Sequence, residues 1–165
     1  MKLIAEKRSS SDRYDVLRMV RNNGSCTETL MPREAVLPHD LLHYVVESAL
    51  PLRHGFLSQL ALGHEAEQLK RAVRDPVTGT VAPEAVQTEA IVEQLQRQLS
   101  AGRFDLASFL DSAAQACAVR AQPPFDFSPY DVQSCLYERA LALHRQWSTA
   151  PYFSTLSLEF SPRLL

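Results

Sequence analysis

Cysteine, glycine and long apolar runs are all scarce in this chain, and each scarcity removes a class of function. The 165 residues hold three cysteines, Cys26, Cys117 and Cys135, which lie far apart and lack the short paired spacing of a zinc knuckle or redox dithiol. They are expected to be buried thiols that fill core space. The five glycines, Gly24, Gly55, Gly63, Gly79 and Gly102, stand singly, so there is no glycine-rich phosphate loop and no Gly-x-Ser-x-Gly elbow. No stretch approaches the ~18 consecutive apolar residues of a membrane span. The start, Met1-Lys2-Leu3-Ile4-Ala5-Glu6-Lys7-Arg8, meets charge too early to supply the apolar run of a signal peptide, so a cytoplasmic location is expected. Charge of one sign is lacking too. Seventeen basic against nineteen acidic side chains give a net charge of −2, which excludes a broadly basic nucleic-acid binder or anionic-membrane binder.

What is present is an ordinary core composition, 45% hydrophobic and 22% charged, consistent with one domain over residues 1–165. Residues 13–31 read as a β-hairpin, because two strand-like runs flank Asn22-Asn23-Gly24, whose residues tolerate the positive φ of a tight turn. Residues 2–7 supply a further strand, and Leu156, Leu158 and Phe160 alternate with polar residues in a last strand over 154–160. Between them the period becomes helical. A helix follows Pro38 and ends near Pro51, shorter ones cover 53–62 and 64–73, and longer ones cover 84–100 and 104–121. Ser128-Pro129-Tyr130-Asp131 reads as the start of the last helix. Asp75-Pro76 and Thr78-Gly79 mark a surface loop, and Phe125-Asp126-Phe127 a loop anchored on the core by its rings. The fold class is α+β, a small antiparallel sheet of N-terminal hairpin plus C-terminal strand packed against about five helices.

One constellation has chemical potential. The helix after Pro38 reads His39-Asp40-Leu41-Leu42-His43-Tyr44-Val45-Val46-Glu47, and at about 100° per residue His39, His43 and Glu47 share one side. Two imidazoles a turn apart suit a divalent metal such as zinc, with Glu47 a third ligand. A straight helix separates His39 from Glu47 by ~12 Å, too far for easy joint ligation, so a fourth group must come from elsewhere, and His54, His64 and Glu65 are the nearest candidates. A metal-free reading makes His43 with Glu47 or Asp40 a proton-transfer pair. The bland readings are core histidines bonded to neighbours, Asp40 favouring the helix dipole, and Glu47 pairing with His43 or Arg53 on a helix surface. Pairs such as Asp12 with Asp15, or Glu65 with Glu67, read as solvated carboxylates.

Sharper motifs fail on position. A zincin needs His-Glu-x-x-His, whereas His39 is followed by Asp40, and His64-Glu65 has Gln68 where the second histidine belongs. An HD-domain phosphohydrolase requires a histidine upstream of His39, and none exists. His-Asp-x-x-His also resembles the zinc motif of a ubiquinone-biosynthesis scaffold family, but that motif places a glutamate where Gly55 stands.

Residues 13–63 resemble a set of small bacterial proteins without assigned function, through Leu37, His39-Asp40-Leu41-Leu42-His43-Tyr44, Val46-Glu47, Gly55-Phe56, Leu60-Ala61 and Gly63. The resemblance implies shared architecture and a bacterial origin, and no substrate. The first functional expectation is a structural or protein-interaction module, a homodimer being one such interaction. The alternative is a metal-binding protein or metal-dependent enzyme built on His39, His43 and Glu47.

Overall fold

The computed structural model describes residues 1–74 and 81–162, and the expected loop at Asp75-Pro76 and Thr78-Gly79 lies outside them. Strands β1 (Lys2–Glu6), β2 (Tyr14–Val20), β3 (Cys26–Pro32) and β4 (Thr155–Glu159) form one sheet in the order β3-β2-β1-β4. All its ladders are antiparallel. The β2–β3 turn closes because Gly24 adopts φ +84° while Arg21 N–H donates to Ser25 O at 2.9 Å. The last strand returns beside the first, with Leu3 opposite Leu158 and Ala5 opposite Leu156. The architecture is α+β.

Alternation decides which face of the sheet is covered. Leu3, Ala5, Leu17, Met19 and Met31 are buried beneath the helices, while Lys2, Arg18 and Glu28 turn to the other face, where Arg18 Nη2 and Glu28 pair at 2.7 Å. Two expectations are corrected at the sheet. Asp15 is not a solvated carboxylate: it is buried and gripped by Arg33, whose Nη2 donates at 2.7 Å. Cys26 is not a core thiol, because it opens the edge strand β3 and is exposed; Cys117 is buried and Cys135 half-buried, and all three are free.

The helices are α1 (His39–Ala49), α2 (Phe56–Ala61), α3 (Ala66–Arg74), α4 (Pro83–Ser100), α5 (Leu106–Val119) and α6 (Arg139–Thr149). Pro51 forces Leu50 into an extended conformation and so stops α1. Asp105 caps α5 by accepting from Ser108 N at 3.0 Å. The last helical stretch begins later than Ser128 implies. Asp131 is its cap, accepting from Ser134 N at 3.2 Å and Ser134 Oγ at 2.9 Å, and a π-helical segment, Gln133–Glu138, leads into α6. The C-terminal carbonyls of α6 at Trp147 and Ser148 accept from Lys7 Nζ at 2.8 and 3.2 Å, which ties that helix to the end of β1. α1 packs along α4, so side chains near its first turns meet α4 directly.

Candidate functional site

α1 opens after Pro38, whose carbonyl accepts from Leu41 N and Leu42 N at 2.9 and 3.1 Å. His39 and His43 stand one turn apart with ring centroids at 5.0 Å and planes at 68°. Glu47, the third residue of that side, takes another part. Its carboxylate accepts from His43 Nδ1 at 3.1 Å, from Leu57 N and Ser58 N at 3.0 and 2.9 Å, and from Ser58 Oγ at 3.0 Å. It therefore serves both as the partner of His43 and as the acceptor for the free amides that open α2. Gly55 is required by this arrangement, because a Cβ there would collide with the Glu47 carboxyl group.

The group that faces both imidazoles is Glu89 of α4. Its Oε1 lies 3.0 Å from His39 Nε2 and its Oε2 lies 3.3 Å from His43 Nε2. Among the described residues, the ligand atoms of His39, His43 and Glu89 lie within 4.8 Å of one another. Those two contacts go to different oxygens of the one carboxylate, and tetrahedral ligands ~2.0–2.1 Å from a zinc ion are about 3.3 Å apart, so the three side chains would draw together slightly to share an ion. Glu89 meets the need for a group from outside α1 that a straight helix imposes.

Protonation follows from the partners. A carboxylate only accepts, so in the metal-free protein both nitrogens of His43 carry protons and the ring is an imidazolium. Burial opposes that charge, but the bonds to Glu47 and Glu89 outweigh it and push the His43 pKa up to about 10. Burial likewise disfavours the Glu89 carboxylate, and the bonds from His39 and His43 prevail, holding it well below the usual carboxylate range. His39 is more open, at 31% side-chain exposure against 4% for His43. Its Nδ1 has a long 3.5 Å contact to Gln96 Oε1, and Gln96 Nε2 in turn donates to Glu34.

Asp40 is buried and accepts from the Thr29 hydroxyl at 2.7 Å, so it is anchored to β3, whereas His43 and Glu47 are bonded to each other. His54 Nδ1 lies 3.2 Å from Glu84 Oε2, which also accepts from the backbone N–H groups of Arg53 and His54. His64 and Glu65 are exposed, and neither joins the group around Glu89.

His39, His43 and Glu89 line a cleft of about 620 Å³ whose wall includes Asp40, His54, Phe56, Leu69, Lys70, Val81, Ala85, Glu93 and Arg120. Glu89 is the residue that sequence reasoning misses. Its only cue is its position beside the apolar stripe of α4, between the buried Val86 and Val92, and nothing local links it to α1. Compared with known proteins, the chain matches no family model, no curated protein and no solved structure.

Proposed function

We propose that this protein binds a divalent metal ion of the zinc class through His39 Nε2, His43 Nε2 and Glu89, and that it is a metal-dependent hydrolytic enzyme acting in the adjoining cleft. The observation that carries the reading is the convergence of three ligand atoms within 4.8 Å on the wall of a 620 Å³ cleft. Two histidines and a glutamate leave a fourth position for water or substrate, the arrangement of catalytic rather than closed structural zinc sites. Bound there, the ion would supply Lewis acidity and a water acidified to a pKa of about 7.

The chain's own residues fit that role. Glu47 accepts from His43 Nδ1 and so turns Nε2 toward Glu89, the carboxylate–histidine support typical of metal ligands. Its bonds to the α2 amides fix the carboxylate in turn, so the imidazole is held before any ion arrives. Asp40, on the same cleft wall and held by the Thr29 hydroxyl, would be the base for a water bound in the fourth position. The test is the metal content of protein purified without an affinity tag, repeated on His39→Ala with His43→Ala and on Glu89→Gln. Near-stoichiometric zinc, iron or manganese that disappears in the variants is expected. A folded wild type that holds no metal and takes up no added zinc overturns the reading.

A second reading, an interaction module, is favoured by one observation. β4 is an edge strand, and beside it Tyr152 and Phe153 are 51% and 75% exposed. Under that reading a second copy pairs along β4, and sedimentation of a strictly monomeric species would count against it.

A further inference from the structure

We infer that the cleft takes a ligand with an apolar body and a phosphate or carboxylate group, and that Arg120 receives the anionic group. The inference rests on the metal-site reading, whose ligands line the same cleft. Arg120 closes the C-terminal end of α5 and lines that cleft with its side chain 23% exposed. Its Nη1 is buried and has no hydrogen-bond partner among the described residues. Among the described residues its Nη2 has only a 3.4 Å contact to Glu93 Oε1.

Arg33 shows what a structurally satisfied arginine looks like in this protein, with Nη2 at 2.7 Å and Nε at 3.2 Å from the Asp15 carboxylate. A guanidinium keeps its charge and offers five donors in a planar fork suited to carboxylate and phosphate oxygens. Among the described residues most of that fork is unused at Arg120, and a turn of the guanidinium would present its buried Nη1 to a cleft of ligand size. Lys70 adds a second cation on the same wall, its ammonium 5.5 Å from the Phe56 ring centroid and paired with no carboxylate among the described residues.

Geometry sets the spacing. Glu93, the contact of Arg120, lies one turn beyond Glu89 on α4, so the anion seat is displaced from the metal ligands by roughly a helical turn, ~6 Å. A lone anion sitting on the metal would not reach Arg120, whereas a ligand with a short body would span both. Leu30, Phe56, Leu69 and Val81 provide the apolar wall for that body.

The experiment titrates zinc-loaded protein with phenylphosphonate and with benzoate by calorimetry, which separates phosphoryl from carboxylate preference. Zinc content is measured on the same samples. At least one probe is expected to bind the wild type, with Arg120→Gln weakening it tenfold or more at unchanged zinc content. Lys70→Gln, on a half-buried position of α3, is expected to weaken it about threefold and carries the test if Arg120→Gln does not fold. Equal affinity in the folded variants, meaning an anion seated on the metal alone, overturns the inference, as does failure of both probes to bind. A wild type that takes up no zinc sinks the metal reading separately, and the Arg120 contrast is then read on the metal-free protein.

Discussion

Helix α4 separates two cavities, and the contrast between them shows that volume alone does not make a site. On one side, Glu89 and Glu93 face the 620 Å³ cleft with His39, His43 and Arg120. On the other, Gln87 and Ile91 face a 490 Å³ recess lined by Leu110, Cys117, Phe125 and Phe127. There the rings pack edge to face, Phe125 on Phe127 at 4.8 Å and Phe127 on Phe109 at 5.6 Å, and the Gln87 amide donates to Pro123 O at 2.9 Å. The thiol of Cys117 is pushed up by burial and so kept in its unreactive protonated form. Polar groups on that side are spent on packing a loop. On the cleft side they converge on a common point, and this is what separates a candidate site from a recess.

The largest effect expected is of pH on the metal-free protein. His43 has a folded pKa near 10 against an ordinary value of 6.5, so its contribution is fully present below 6.5 and is lost as pH rises through about 10. Glu89, whose pKa is lowered, contributes above its ordinary 4.5 and loses that contribution on acidification. Urea midpoints of apoprotein should therefore fall between pH 7 and 10, and a flat profile would break the account of the cluster. Metal uptake should run the opposite way and strengthen with pH, because the His43 ring must shed a proton to ligate.

Glu47→Ala comes next, with an expected loss of ~3–5 kcal/mol by chemical denaturation, since it leaves a buried imidazolium and two α2 amides without their acceptor. Glu47→Gln, a gentler change, should weaken zinc binding about 10–100-fold. Gly55→Ala should cost about 1–3 kcal/mol, because the new methyl group displaces a carboxylate that buried bonds hold in place. The smallest effect sharpens the contrast across α4. Ile91→Val on the aromatic side should cost about 0.5–1.5 kcal/mol and leave metal content unchanged. If it lowered metal content as Glu89→Gln should, the two sides of the helix would not be independent.

Much of the fold was legible because its signals are local. The Asn22-Asn23-Gly24 turn, the alternation in 154–160 and the prolines around α1 each act over a few residues, and the structure has the corresponding elements. The start of the last helical stretch is ambiguous in sequence because Ser128 and Asp131 are both competent caps, and in the fold Asp131 holds the role. The site was legible only on α1. His39 and His43 share a helix side by simple periodicity, but the destination of Glu47 depends on where α2 packs, and the arrival of Glu89 depends on how α4 crosses α1. Neither is encoded in spacing. Gly55 stands where a zinc motif would place a glutamate, yet in the fold it is the gap that lets Glu47 reach the α2 amides.

The position of β1 inside the sheet bears on how the molecule forms. Lys2–Glu6 pairs on one side with a neighbour in sequence and on the other with residues 155–159. Emerging from the ribosome, the nascent chain exposes every residue of the histidine–glutamate cluster long before that second ladder can close. In refolding, helical signal should recover ahead of the final strand's amide protection, because closing so long a loop is entropically slow.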